Sequence, residues 1–302
     1  MTGQARGHLA MLTFSALVAG SFSLGVLAAP HIDPAALTAL RFWLAAAIVG
    51  TAAALTTGFP RRALQAPWRY FLLGGTFGIY FVLMFEGLKT AQAVSASAVF
   101  TLTPVISGIA GWFLLRQVTT LRMMLALAIG AAGAVWVIFR ADLAALARFE
   151  IGQGEAIFFF GCIAHAVYTP MVRRLNRGEP PVVFTFGMLL GGGLLVTAWA
   201  LPAIRATDWA GLPGIVWITL AYVSIFASAG TFVLLQYATL HLPSAKVMAY
   251  TYLTPSWVIV LEYALGNGLP TPWVLGGVAL TVLALLMLLR DDDAKVPLPQ
   301  SP

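Results

Sequence analysis

Charged side chains are scarce in this sequence. It holds 17 Lys and Arg and 11 Asp and Glu in 302 residues, or 9% of the chain. A soluble domain carries roughly 25% charged residues, so this chain has too few to cover a water-exposed surface. Hydrophobic residues make up 60% of it, and the mean hydropathy is +0.89. This composition excludes an ordinary cytosolic enzyme, a secreted disulfide-stabilised domain and a disordered regulator, and it indicates a protein of the lipid bilayer.

Cysteine and catalytic motifs are also missing. Cys162 is the only cysteine, so the chain forms no intramolecular disulfide and no multi-cysteine metal site. The motifs of phosphate loops, zinc proteases and serine hydrolases are absent, as are the large loops of an ATPase or membrane-bound enzyme. We therefore expect no enzymatic activity, no cofactor and no metal. The net charge of +6 comes from basic residues scattered between apolar runs, so we expect no nucleic-acid partner either.

Long apolar runs dominate what is present. A hydrocarbon core about 30 Å thick takes around 20 helical residues, and ten stretches meet that length. They cover residues 8–29, 35–57, 68–88, 91–115, 121–139, 154–174, 181–201, 213–237, 244–265 and 272–289. The predicted fold class is an all-α polytopic membrane protein with ten transmembrane helices.

The distribution of Lys and Arg predicts the orientation in the membrane. With ten spans and a cytoplasmic N-terminus, the cytoplasmic segments hold twelve basic residues and the opposite segments hold five. This excess predicts a multi-pass protein of the cell's inner membrane with both termini in the cytoplasm. Residues 291–302 are polar and rich in proline, which predicts a disordered cytoplasmic tail.

The two halves of the chain resemble each other at a shift of 151 residues. The shift brings Leu102-Thr103-Pro104 onto Leu253-Thr254-Pro255. Each half then holds five helices, and because five is odd the second half crosses the membrane in the opposite sense. We predict two inverted five-helix repeats, residues 1–150 and 151–290, working as a monomer. Such repeats are typical of alternating-access transporters, which bind a small molecule near the membrane midplane.

Three segments of the sequence carry a resemblance to known transporters. They are the opening SFSLGVLAAPHIDPAALTALRF and the paired segments SASAVFTLTPVISGI and SAKVMAYTYLTPSWVIV. The chain resembles the EamA family of the drug/metabolite transporter superfamily over about residues 8–289, and within it is most similar to the YddG-type aromatic amino-acid exporters. The resemblance implies export of aromatic or other hydrophobic amino acids and related metabolites.

Acidic residues are missing from the middle of the predicted spans. Glu86, Glu155 and Glu262 all lie within a few residues of span ends. Ion-coupled transport usually needs a buried carboxylate, so we favour facilitative or exchange transport over ATP-driven or ion-driven transport. The alternatives are a proton-coupled drug or metabolite exporter and an exchanger of nucleotide-type anions. The latter would need several buried cations, and only Lys246, near one span end, is evident.

Three candidate substrate-binding residues lie deep in the predicted spans. His165 is near the centre of the sixth span, and Tyr168 follows one turn later on the same face. The histidine is either a substrate ligand or proton carrier, or a side chain bonded to a neighbouring helix. Tyr80 is in the middle of the third span, and Thr231 is its repeat equivalent.

A second group of candidates begins the ninth span. Lys246 and Tyr250 are four residues apart, so together they would bind a carboxylate and stack on an aromatic ring, unless Lys246 extends to the cytoplasmic surface. Ser95 is the repeat equivalent of Lys246. Arg41, in the second span, is expected to pair with an outer carboxylate such as Glu86 or Glu262.

Two prolines are candidate hinges. Pro104 and Pro255 occupy equivalent positions in the fourth and ninth spans. Proline removes an intrahelical hydrogen bond and bends a helix, so a symmetric pair predicts one hinge for each gate. Glycines 74, 75, 78 and 191–193 predict close packing between helices.

Overall fold

The computed structural model describes residues 2–118, 120–148 and 150–289. Within these ranges the chain is helical apart from short connections, and no strand is present. The helices are α1 (Gly3–Ala28), α2 (Pro34–Thr56), α3 (Trp68–Gly87), α4 (Ala93–Phe100), α5 (Thr103–Leu115), α6 (Leu121–Ile138), α7 (Leu143–Arg148), α8 (Gln153–Leu175), α9 (Pro181–Ala206), α10 (Gly214–Ser224), α11 (Thr231–His241), α12 (Ser244–Ala249), α13 (Thr254–Ala264) and α14 (Pro272–Leu289). The predicted all-α membrane fold is confirmed, while the predicted tail, 291–302, lies outside the described residues.

Nine helical stretches in the described part of the chain are long and apolar enough to cross a membrane. Each coincides with one of the ten predicted spans. The remaining predicted span, 244–265, is helical but interrupted: a 3-10 turn, Tyr250–Leu253, separates α12 from α13. Its centre carries tyrosine and threonine, which lower its hydropathy below that of the other nine. The count of ten spans therefore stays a prediction.

Two breaks interrupt helices at the repeated Leu-Thr-Pro sequence. Pro104 lies in the first turn of α5 and Pro255 in the first turn of α13, where the missing N–H of proline costs no intrahelical hydrogen bond. The breaks also meet in space, because the Oγ1 atoms of Thr103 and Thr251 are within hydrogen-bonding distance, at 3.2 Å. The predicted bend is thus a helix break, and the hinge role of the prolines stays a prediction.

The main helix contacts join the two halves of the chain. Helix α2 packs on α9, α6 on α14, and α3 on both α8 and α9, while α1 packs on α11 and α13. The halves therefore interdigitate along their length, and the centre of the bundle is built by both of them.

Glycine lets α3 and α9 approach to backbone contact. A Cβ atom at Gly192 would lie 2.7 Å from the carbonyl oxygen of Gly74, and one at Gly191 would lie 2.8 Å from the carbonyl carbon of Tyr70. Side chains at these positions would force the helices apart, so the close packing predicted for these glycines is confirmed.

Candidate functional site

Aromatic side chains fill the centre of the bundle. This aromatic cluster takes Phe77, Tyr80 and Phe81 from α3, Phe100 from α4, His165 and Tyr168 from α8, and Phe232 from α11. Its ring centroids are closely spaced: Phe77 lies 4.1 Å from Tyr168, and Tyr80 lies 4.6 Å from His165 in an edge-on arrangement. These spacings favour edge-to-face and offset aromatic contacts. The cluster is a mostly apolar wall whose polar atoms are those of Tyr80, His165 and Tyr168.

A small buried cavity lies within the aromatic cluster. Its volume is about 10 Å³, room for about one water molecule. The lining comes from α1, α2, α3, α8 and α11 and from the π-helical stretch Ile225–Gly230 that joins α10 to α11. The cavity therefore lies between the two halves of the chain, and all of its lining residues are buried.

Arg41 lines this cavity from α2. It is completely buried, because Leu37, Arg41 and Ala45, spaced by four residues, all face the bundle interior. Its Nε donates to Ser228 Oγ at 2.5 Å, and its Nη2 donates to the Ala227 carbonyl oxygen at 2.6 Å. The guanidinium also lies 3.5 Å from the ring centroid of Phe81.

The expected pairing of Arg41 with an outer carboxylate is wrong. Glu86 instead pairs with Lys89 at 2.7 Å, and Glu262 accepts a hydrogen bond from Asn267 at 2.8 Å. No carboxylate contacts Arg41 in the part of the chain that the structure describes. A guanidinium that faces the interior cannot reach acids at the helix ends, so Arg41 is buried with no negative partner among the described residues.

Three buried polar atoms around the cavity have no hydrogen-bond partner within the described residues. They are Arg41 Nη1, His165 Nδ1 and Ser21 Oγ, and all three residues line the cavity. Buried polar atoms in proteins are nearly always hydrogen-bonded, so each exception needs an explanation. Three such atoms around one cavity mark it as the candidate binding site of the described part of the chain.

The structure brings only some of the predicted site residues to this cavity. Tyr80 and His165 line it, together with Thr231, the repeat equivalent of Tyr80. Tyr168 is part of the aromatic cluster but is not among the lining residues, and its hydroxyl accepts a hydrogen bond from Gln236 Nε2 at 2.8 Å. The shared face of His165 and Tyr168 thus places both in one cluster, with different partners.

The other candidates lie elsewhere. Tyr250 is hydrogen-bonded to His8 Nδ1 at 3.0 Å, near the start of α1. Lys246 is only 6% exposed on α12, which packs against α5, so its side chain is buried rather than extended to the surface. Ser95 lines a separate cavity of about 450 Å³ at the opposite end of the bundle, beside Glu262. The six candidates therefore do not form one site.

A buried ion pair joins the start of α3 to the connection between α8 and α9. Arg69 Nη2 lies 2.7 Å from Glu179 Oε1, and both side chains are buried. Arg69 also donates to the Leu175 carbonyl oxygen, and the backbone N–H of Arg177 donates to Glu179 Oε2. Burial alone would raise the pKa of Glu179, but these hydrogen bonds to Glu179 and the charge of Arg69 outweigh it and lower that pKa. Arg69 had indicated only membrane orientation, so sequence reasoning missed this ion pair.

The nine long apolar helices in the described part of the chain are those of a polytopic membrane protein. The chain belongs to the EamA-like transporter family, whose sequence profile matches residues 5–139 and again residues 152–290.

Two curated relatives are similar over nearly the whole chain. The uncharacterized transporter YyaM of Bacillus subtilis is 24% identical over 282 residues, which cover 92% of each chain. An uncharacterized transporter of Archaeoglobus fulgidus is 23% identical over 287 residues, or 93% of this chain and 96% of the relative. These names support a transport role rather than a catalytic one.

A solved crystal structure shares the fold. It superimposes with a TM-score of 0.69 over 95% of this chain and 96% of the other, at 22% sequence identity. At that identity the similarity establishes the fold alone.

Proposed function

We propose that the protein exports aromatic and other hydrophobic amino acids and related small metabolites by alternating access. The observation that carries this proposal is the buried cavity between the two halves, with aromatic walls and three polar atoms that have no hydrogen-bond partner among the described residues. Aromatic walls suit an aromatic or aliphatic side chain, and unpaired polar atoms suit the charged groups of an amino acid. In this proposal the structure represents an occluded conformation.

The packing of the helices supports a two-fold, inverted relation between residues 1–150 and 151–290. In such a relation α2 is equivalent to α9 and α6 to α14, and each helix packs on its equivalent. The contact between α3 and α8 is equivalent to the contact between α11 and α1, and both of these are present as well. The double match of the family profile points the same way. Two equivalent gates on opposite sides of one cavity are what alternating access requires.

Transport by facilitated diffusion or exchange fits the lining of the cavity. None of its described lining residues is acidic, so no carboxylate is placed there to carry a coupling proton or sodium ion. A nucleotide-type anion, with two or more negative charges, suits the single guanidinium of Arg41 poorly. We place the protein in the inner membrane with both termini in the cytoplasm, as a monomer.

Counterflow in proteoliposomes tests this function. Vesicles loaded with unlabelled Phe, Tyr, Trp or Met should accumulate the labelled amino acid without any ion gradient. Nucleosides and organic cations serve as comparison solutes. Absence of exchange for all four amino acids in correctly reconstituted protein would refute the proposed substrate class.

Proton coupling through His165 is the second candidate. Its Nδ1 lines the cavity and has no partner in the described part of the chain, so it is placed to bind a proton as well as a substrate. Transport that occurs only under a pH gradient, and is lost in His165→Gln, would favour this mechanism over the uncoupled one.

A further inference from the structure

Arg41 has one nitrogen left for a ligand. Its Nε and Nη2 are held by Ser228 and Ala227, and the ring of Phe81 lies 3.5 Å from the guanidinium carbon. These contacts hold the guanidinium plane in place, and they leave Nη1 buried and unpaired at the cavity. A fixed guanidinium with one free N–H face is a preorganised site for an anion.

The charge balance around Arg41 also calls for an anion. A buried charge without an opposite charge is costly, because water is removed and nothing replaces it. Hydrogen bonds from Arg41 to Ser228 and Ala227 and its contact with Phe81 lower that cost but add no negative charge. A carboxylate bound at Nη1 would supply the negative charge that is missing beside the guanidinium.

We propose that Arg41 binds the carboxylate of the transported molecule through Nη1 and so selects monocarboxylates. This inference deepens the proposed export of amino acids and rests on it. Ser21 Oγ and His165 Nδ1 line the same cavity, and each is able to accept a hydrogen bond from the ammonium group of an amino acid. The aromatic ring of the substrate then lies against Phe77 and Tyr80.

The cavity must widen before it admits such a ligand, since about 10 Å³ holds about one water molecule. The contacts of Arg41 identify the segment that lies beside the site. Its partners Ala227 and Ser228 belong to the π-helical stretch between α10 and α11, and π-helical turns are common at functional sites. A carboxylate on Nη1 therefore binds to a group that already links α2 to this irregular stretch.

The test compares ligands that differ only in the carboxylate. L-Phenylalanine and L-phenylalaninamide share the ring and the amine, but the amide has no negative charge. Binding is measured by thermal stabilisation of the purified protein, and transport by counterflow. The wild-type protein should bind phenylalanine roughly tenfold or more tightly than the amide, the ratio expected from a hydrogen bond to a charged group.

Arg41→Gln should remove this preference. Phenylalanine binding should weaken by roughly tenfold or more and approach that of the amide, while amide binding changes little. Arg61→Gln, at an exposed position outside the bundle centre, is the control and should keep the wild-type ratio. An unchanged ratio in folded Arg41→Gln protein, or equal binding of both ligands by wild type, would overturn the proposal.

Arg41→Lys covers the case in which Arg41→Gln does not fold. This variant keeps the buried positive charge but loses the planar guanidinium with its fixed N–H donors, so phenylalanine binding should still weaken relative to binding of the amide. An unchanged phenylalanine-to-amide ratio in this variant also counts against the site.

The two proposals fail separately. Phenylalanine that binds through Arg41 but is not transported would refute amino-acid export and leave the carboxylate site standing. Counterflow of phenylalanine and its amide at equal affinity would retain the exporter and refute the role of Arg41.

Discussion

The buried pair of Arg69 and Glu179 supports a quantitative prediction. Glu179 accepts a hydrogen bond at each oxygen, from Arg69 Nη2 at 2.7 Å and from the backbone N–H of Arg177 at 2.6 Å. In Glu179→Gln one of these oxygens becomes an NH₂ group, so one donor faces another donor whichever way the amide is oriented. The charge of Arg69 also loses its partner.

The expected loss of stability is about 3 kcal/mol, the lower end of the range for breaking a buried ion pair. At roughly 2–4 °C per kcal/mol, the melting temperature in detergent should fall by roughly 6–12 °C. The matched control is Glu150→Gln, because Glu150 pairs with Arg148 at 3.5 Å with both side chains exposed. An exposed pair contributes about 0–1 kcal/mol, so this control should melt close to wild type.

The ion pair of Arg69 and Glu179 also predicts that the stability of the fold depends on pH. Because the folded protein lowers the pKa of Glu179, the ionised carboxylate stabilises the fold above the pKa of the unfolded chain. That stability is lost as the pH falls through the lower, folded pKa. Wild type should therefore lose melting temperature on acidification below about pH 4.5, and Glu179→Gln should lack this component. A Glu179→Gln melting temperature within one or two degrees of wild type, with the same decrease on acidification, would refute the assigned role of the ion pair.

Three further predictions concern the cavity and its surrounding helices. His165→Ala should reduce counterflow by roughly tenfold, the value of a lost ligand hydrogen bond, at a normal yield of folded protein; unchanged counterflow would assign His165 to packing. Pro104→Ala and Pro255→Ala should shift cysteine-accessibility labelling towards opposite faces of the membrane, and identical labelling patterns would contradict the two-hinge hypothesis. Gly192→Ala should destabilise the fold by about 2 kcal/mol, as overpacking does. Gly276→Ala, where a Cβ meets nothing within 4 Å, should gain up to about 1 kcal/mol of helix propensity; equal melting of the two variants would show that the approach of α3 and α9 tolerates a methyl group.

Much of the fold follows from local properties of the chain. Apolar length marks the spans, because the bilayer requires about 20 apolar helical residues whatever surrounds them. The helix breaks at Pro104 and Pro255 follow from the chemistry of proline, which acts within one turn. The shared face of His165 and Tyr168 follows from the helical period, and both residues do lie in the aromatic cluster.

Contacts between helices were beyond the sequence. The spacing of Lys246 and Tyr250 is the same kind of signal as that of His165 and Tyr168, yet Tyr250 bonds to His8 and neither residue lines the central cavity. Periodicity says which residues share a face, but it does not say which helix that face meets.

The sequence by itself determined that this chain is a helical membrane protein and where its long apolar helices run, because these properties depend on neighbours within a few residues. It also located the two prolines at which the structure has helix breaks where bends were predicted. Only the tertiary structure decided that Arg41 is buried with no carboxylate partner in the part of the chain that the structure describes, and that Tyr80, His165 and Ser21 surround one cavity. Whether a side chain is buried, paired or next to a cavity depends on residues that are far apart in the chain and meet only in the folded protein. The hydrogen-bond partners of Arg41 are 186 and 187 residues away in the chain, so they became evident only when the helices packed.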